Sequence, residues 1–274
     1  MTDLDAAHPY RDPPGGRPDV LICAGLDPSG GAGLLADARV VCELGARPVG
    51  VVTALTVQNT TAVIDTEAMN AQVIREQLEF LLSDVEVRAV KIGMIGSSEI
   101  AKSISAALAL TNAPVVWDPV IHPSRGDVPF VDSLFSHALA ALMPHVTVLT
   151  PNAQELAFLT GGKIADAHDA AAAGRALAAK LGVAVLVKGG HLGASDPAAS
   201  VDVLCTADRV ESLRGPRLPG GEHVHGTGCA LSSAIAAQLA RGVPLLDACR
   251  AAKTFVATRI AAPARPGRGA AAIV

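Results

Sequence analysis

The sequence predicts an α/β fold: a mostly parallel, twisted central sheet with helices on both faces. Three observations carry that expectation. From Val20 onward, short apolar runs alternate with helix-patterned stretches, and repeated β–α units bury a parallel sheet between helices. Half of the 274 residues are apolar (50%) and only 3% are aromatic, a composition that suits strands covered on both sides. Near the end, "SVDVLCTADRVESLRGPRLPG" alternates polar and apolar residues between turn signals. That pattern predicts a small antiparallel element near residues 200–218.

The elements follow in order. "DVLICAG" reads as a strand ending in glycine, "LLADARVVCELG" as a helix and "PVGVVTALTV" as a second strand. "TEAMNAQVIREQLEFLLSDV" is amphipathic, with Ala71, Ile74, Leu78, Leu81 and Val85 on one face. "VRAVKIGMIG" is strand-like, and "SSEIAKSISAALAL" is a helix with a serine cap. The strand "APVVWDPV", a loop, a helix around "VDSLFSHALAALM" and the strand "VTVLTPN" come next. Two helices, "AQELAFLTG" and "DAHDAAAAGRALAAKLG", precede the strand "VAVLVKGGH". After the antiparallel pair, "HGTGCALSSAIAAQLARG" forms a helix that Gly242 stops, with Leu231, Ile235 and Leu239 on its buried face. "LLDACRAAKTFVATRIAA" closes a single domain over 19–262. Residues 1–18 are polar and Pro/Gly-rich and read as a disordered leader, and 263–274 as a loose tail.

Composition excludes several function classes. A net charge of −4 argues against broad nucleic-acid binding. None of the apolar runs approaches the roughly 18 residues a membrane span needs. The five cysteines are odd in number and lack a C-x-x-C pair, which points to a reducing cytoplasm rather than disulfides or zinc. Cys23, Cys42, Cys205 and Cys249 read as core residues. His8, His137, His145 and His168 lack ligand spacing and read as surface or loop residues, and Trp117 as packing.

Ligands of such sheets bind at the carboxyl ends of the strands. The first strand ends in "AGLDPSGGAGLLAD". Gly31-x-Gly33-x-x-Ala36 imitates a dinucleotide fingerprint, but the next strand ends in Val57-Gln58-Asn59 without the required acid. A Walker loop fails too, because no Lys-Ser/Thr pair follows the glycines. What remains is a glycine-lined wall or a tight turn. Gln58 offers a donor and an acceptor that suit a heteroaromatic ring, or it is an ordinary polar loop residue. Asp118 follows a buried run and can hold Mg²⁺ or a reacting hydroxyl. Asn152 and Glu155 share one face of a helix start, as a functional pair or as a capping box. Lys188 beside two glycines is a point charge for phosphate or a snorkelling lysine.

The helix mouth at Gly226 and Gly228 can present unpaired backbone N–H groups to an anion. Cys229 in its first turn is then a thiol whose pKa the helix lowers, able to act as a base. The alternative is a small buried hydrophobe. Together these parts fit phosphoryl transfer, with metal, cation and oriented amides around a moving γ-phosphate.

The motifs "AGLDPSGGAG", "TALTVQNT", "KIGM", "DPV", "TPNAQE", "VKGGH" and "HGTGC" resemble, in order and spacing, the hydroxymethylpyrimidine/phosphomethylpyrimidine kinases of thiamine biosynthesis, in the ribokinase superfamily. The resemblance covers about residues 20–260. It implies a ribokinase-like sheet, often a homodimer, and two ATP-dependent steps, from alcohol to monophosphate and from monophosphate to diphosphate. Carried over by motif, Gly25, Asp37, Gln58, Met94 and Val120 would surround the pyrimidine. Asp118 and Glu155 would serve Mg²⁺, and Asn152, Lys188 and Thr227 would face ATP. Gly226, Thr227 and Gly228 would form the anion hole, with Cys229 as the base.

The chain departs from the family pattern at Leu26, at Ser124-Arg125-Gly126-Asp127, at Val128-Pro129-Phe130, at His223-Val224 and near Gly267-Arg268-Gly269. A pyridoxal kinase of the cysteine-containing branch is the alternative enzyme. A non-catalytic ligand-binding protein on the same fold is the alternative of another class.

Overall fold

The computed structural model describes residues 16–121, 135–190, 192 and 197–273. The expected leader, through residue 15, and the departing loop at 122–130 lie outside them. The described strands are β1 (Asp19–Leu26), β2 (Arg47–Gln58), β3 (Val63–Ala68), β4 (Val87–Ile92), β5 (Val115–Trp117), β6 (Val148–Leu149), β7 (Ala184–Val187), β8 (Ala199–Cys205) and β9 (Val210–Pro216). They form one sheet in the order β3-β2-β1-β4-β5-β6-β7-β8-β9. β2, β1, β4, β5, β6 and β7 run parallel. β3 pairs antiparallel with β2, and β8 and β9 add an antiparallel edge beside β7.

The chain passes from one side of β1 to the other between β3 and β4, so the sheet's switch point lies between β1 and β4. That is where α/β sheets open a crevice for ligands.

The helices are α1 (Gly33–Glu43), α2 (Ala71–Leu82), α3 (Ser98–Leu108), α4 (Phe135–Leu142), α5 (Ala153–Thr160), α6 (Ala167–Leu181), α7 (Thr227–Ala240) and α8 (Leu245–Ala261). Strand alternation divides them into two layers. Leu21 and Cys23 of β1 face a core shared with α2 through α6. Val20, Ile22 and Ala24 face a second core under α1, α7 and α8. Both faces of β1 are therefore buried, which explains its unbroken apolar run.

Several expectations change here. The amphipathic stretch does not begin at Thr66: Thr66–Ala68 belong to β3, and Asn70 caps α2 by accepting from the backbone of Gln72 and Val73. Of the face predicted for α7, Leu231 and Ile235 are buried and Leu239 is half-buried, and the burial extends well beyond that face. Ala230 through Ala237 are all buried, because the helix lies between the sheet, α1 and α8. Cys23, Cys205 and Cys249 are buried as expected, but Cys42 is exposed at the outer side of α1.

The tail expected to be loose is tied down over 264–273. Ala270 N donates to Thr60 O at 2.8 Å, His225 N to Ala271 O at 2.7 Å and Ile273 N to His225 O at 3.1 Å. The backbone hydrogen bonds go to partners far away in sequence, which local composition does not register.

Candidate active site

A cavity of about 1060 Å³ opens over the carboxyl ends of β1, β4, β5 and β7. Every site residue expected from the sequence lines it except Asp37. It runs from Gln58 and Met94, past Asp118 and Cys229, to Arg214 and Lys253 between β9 and α8.

The mouth of α7 lies midway along the cavity. Gly226 is its N-cap, with φ +83 and no side-chain cap, so the N–H groups of the first turn stay uncapped. A Cβ at Gly226 would stand 2.0 Å from Gly31 O, and the left-handed φ itself favours glycine. Gly228 faces charge: a Cβ there would lie 3.3 Å from Lys188 Nζ and 3.6 Å from Asp118 Oδ2.

Cys229 occupies the first turn, as expected, but its thiol is not acidic. Burial pushes it up to about 11; Lys91 pulls it down, Asp37 and Asp118 push it up, and a hydrogen bond from Gly33 N–H lowers it. The expected lowering by the helix mouth is overturned because desolvation of the thiolate dominates.

Beside the mouth of α7 lies a cluster of three charged side chains. Lys188 Nζ lies 2.6 Å from Asp118 Oδ1 and 3.5 Å from Glu155 Oε2. Burial opposes the charge on Lys188, but Asp118 and Glu155 outweigh it and hold the ammonium protonated. Glu155 is pushed up to about 7, first by burial, with Lys188 pulling down and Asp118 pushing up. Asn152 and Glu155 do form a capping box. Glu155 N donates to Asn152 Oδ1 at 2.9 Å, and Asn152 N donates to Glu155 Oε2 at 2.7 Å. The pair is the capping box of the second reading, and the cap fixes the Glu155 carboxylate where it meets Lys188.

The opposite end is less polar. Ala54, Val63 and Met94 form a small apolar cluster with Val120 against it. Gly25 leaves room for Met94, whose Cε would be 2.9 Å from a Cβ there. Gln58 stands at the end of β2 beside His225 and Thr56.

Asp37 is the exception. It is fully buried in α1, with Oδ2 2.5 Å from Lys91 Nζ and Oδ1 accepting from Ser233 Oγ at 2.8 Å. It supports the wall through Lys91 and does not reach the cavity. Lys91, Asp27 and His225 line the cavity and were missed in the sequence. "KIGM" directed attention to Met94, yet a lysine inside an otherwise apolar strand was a usable signal. Elsewhere, His168 does meet Asp166 and Asp169, their ligand atoms within 4.8 Å of one another. These carboxylates accept from backbone N–H groups at the exposed start of α6.

The family model described as phosphomethylpyrimidine kinase matches residues 27–273. A hydroxymethylpyrimidine/phosphomethylpyrimidine kinase of Streptomyces coelicolor is 40% identical over 250 residues, covering 91% of this chain and 91% of that protein. Among solved structures, a phosphomethylpyrimidine kinase from Clostridium difficile superposes with TM-score 0.73 at 32% identity, over 89% of this chain and 99% of the other. The pyridoxal kinase from Staphylococcus aureus in complex with ADP gives TM-score 0.84 at 29% identity, over 95% and 94%. The fold is thus the ribokinase-like α/β fold of these kinases. A matched model spanning nearly the whole chain and a relative at this identity lead to one conclusion: the chain belongs to the phosphomethylpyrimidine kinase family.

Proposed function

We propose that this chain is a kinase of thiamine biosynthesis. It transfers the γ-phosphoryl group of ATP to the hydroxymethyl oxygen of 4-amino-5-hydroxymethyl-2-methylpyrimidine, and then phosphorylates the monophosphate to the diphosphate. The observation that carries this reading is the position of the α7 mouth. Its uncapped N–H groups and Cys229 lie between a ring-sized apolar end holding Gln58 and a cluster of Lys188, Asp118 and Glu155.

Each residue has a task that its surroundings support. Gln58, Met94, Val120 and Gly25 bind the ring. Gly226, Thr227 and Gly228 direct N–H groups toward the phosphoryl group as it moves, where oriented amides stabilise developing charge. Lys188, Asn152 and Thr227 face ATP. Cys229 serves as the base only as a thiolate: once its own thiol proton has passed to solvent, Sγ accepts the hydroxymethyl proton as that oxygen bonds to phosphorus and the bond to the departing ADP breaks. The donor set fits Mg²⁺: two oxygen-donor carboxylates, Asp118 and Glu155, converge on one lysine at the cavity wall. Asp118 and Glu155 would hold the ion, which supplies neutralisation of phosphate charge when bound.

A homodimer in the cytoplasm completes the reading. Leu55, Val57 and Ile64 are exposed apolar side chains on the β2–β3 edge, and free thiols suit a reducing compartment. No described helix is long and apolar enough to cross a membrane. Sedimentation velocity tests the dimer.

The function is tested by supplying ATP and Mg²⁺ with hydroxymethylpyrimidine, its monophosphate or pyridoxal in separate reactions, with products read by mass. Phosphorylation of both pyrimidines is expected. Phosphate on pyridoxal alone would favour the second reading, which the TM-score of 0.84 to a pyridoxal kinase keeps in play. The 40% identity to a pyrimidine kinase, against 29% to that neighbour, favours the first.

A further inference from the structure

Three side chains at the ring end meet at one imidazole nitrogen. His225 Nε2 lies 3.1 Å from Asp27 Oδ2 and 3.1 Å from Gln58 Nε2. His225 Nδ1 is buried and has no hydrogen-bond partner among the described residues. The backbone of His225 is held on both sides by the 271–273 strap, so the ring has a fixed mount.

Counting protons decides how these groups are arranged. Asp27 also accepts from Ser29 N at 2.8 Å, Ser29 Oγ at 2.7 Å and Ala32 N at 3.1 Å. Burial pushes its carboxyl up, but hydrogen bonds from His225 and Ser29 outweigh burial and hold it below the usual value. An ionised carboxylate only accepts, so His225 Nε2 carries a proton and donates it. A second proton on Nδ1 would be buried with no acceptor, which is costly. Nε2 is therefore the nitrogen that donates to Asp27, and Nδ1 faces no acceptor among the described residues.

Thr56 imposes the same demand from the other side. Its Oγ1 lies 2.9 Å from Leu26 O, a pure acceptor, so its one proton goes there. Toward Gln58 it can only accept. In this rotamer Gln58 Oε1 lies 3.2 Å from Thr56 Oγ1, and Gln58 Nε2 faces the imidazole. Turning the amide by 180° lets Gln58 Nε2 donate to Thr56 Oγ1 and lets its oxygen share the single His225 Nε2 proton with Asp27 Oδ2, a bifurcated bond, and the two orientations occupy the same space.

We propose that Asp27 and His225 are positioning residues that lock the Gln58 amide with its oxygen against the imidazole, and so fix the order of donor and acceptor offered to the substrate ring. The identity of that ring rests on the pyrimidine-kinase reading. With the amide locked, one N–H and one oxygen lone pair of Gln58 remain for a ligand. A ring with an acceptor nitrogen beside an amino donor matches one order. The oxo counterpart, a ring N–H beside a carbonyl, matches the reverse. A free glutamine would turn to suit either ring; a locked one rejects the mismatch, because buried polar groups would be left unpaired.

Two measurements test this. In protein labelled with ¹⁵N-histidine, with the His225 signals assigned by their loss in His225→Gln, the free enzyme is expected to show protonated Nε2 and bare Nδ1. A protonated Nδ1 would overturn the proposal. Separately, kcat/KM is compared for the 4-amino substrate and its 4-oxo counterpart in wild type and Asp27→Asn. The variant keeps an oxygen for Ser29 but can offer His225 an N–H.

The wild type should prefer the amino ring by roughly tenfold or more, and the variant should bring that ratio to within about threefold, with the change in KM for the ring and not in KM for ATP. An equal fall for both rings, with the ratio unchanged, would mean a merely structural Asp27 and overturn the proposal. Failure of the wild type to phosphorylate either ring would overturn the pyrimidine reading instead, while the histidine tautomer still decides the lock.

Discussion

Two buried charge clusters lie on either side of Cys229, and they are built differently. Asp37, Lys91 and Ser233 form a closed set in charge: one carboxylate, one ammonium and one hydroxyl, all fully buried, of which only Lys91 borders the cavity. Asp118, Glu155 and Lys188 form an open set on the cavity wall, with two carboxylates for one ammonium and Lys188 14% exposed. The closed set meets its own charge and ties α1, β4 and α7 together. The open set has two carboxylates for one ammonium, and its Asp118 carboxylate faces the mouth of α7 at Gly228. In the proposed function, the same chemistry serves structure where it balances and ligand binding where it does not. A buried ion pair alone is weak evidence of function; imbalance beside a cavity is stronger evidence.

The contrast can be broken at its closed side first. Lys91→Met should lower stability by about 3–5 kcal/mol in urea unfolding, because it strands the Asp37 carboxylate in the core. A loss of under about 1 kcal/mol would mean that Asp37 finds another partner or a proton. Between the clusters, Cys229→Ala should lower kcat by roughly 10²–10⁴ with stability nearly unchanged. Unchanged turnover would leave Cys229 as a small hydrophobe.

On the open side, the sign of a pH effect is fixed by Glu155. Its folded pKa of about 7 lies above the ordinary 4.5, so the folded state holds that proton more tightly than the unfolded state. Its contribution to stability is complete below about pH 4.5 and falls as pH rises toward 7. Metal-free protein should therefore show a decline across that window in urea titrations, and Glu155→Gln should flatten it. The exposed pair Arg75–Glu79, at 2.7 Å on α2, sets the bottom of the scale. Arg75→Gln should cost only about 0.3–0.5 kcal/mol in the same unfolding assay.

What the sequence made legible follows the range of the interactions involved. Strand–helix alternation, the antiparallel pair at β8–β9 and the Asn152–Glu155 pair were readable because period and spacing are local signals. β3 was not, since "TEA" has no strand pattern of its own and is held by pairing with β2. Nor was the pinned tail, whose partners Thr60 and His225 lie elsewhere in the chain. At the site, glycine and carboxylate motifs at strand ends led to the cavity. The direction a side chain takes is a tertiary property, so Asp37 was expected at the ring and instead lies behind it. Lys91 and His225 went unread because each acts through a partner distant in sequence. The thiol went the other way: the helix mouth was visible, but the burial that raises its pKa was not.

The division between the two clusters is tested most directly by thermal unfolding of wild type, Asp37→Asn and Asp118→Asn, each with and without Mg²⁺ and ATP. A ligand that binds only the folded state raises its melting point. Asp37→Asn should melt far lower yet keep its ligand-induced rise. Asp118→Asn should melt near wild type and lose most of that rise. A full rise in Asp118→Asn, or a folded Asp37→Asn without one, would contradict the assignment of binding to the open cluster and support to the closed one.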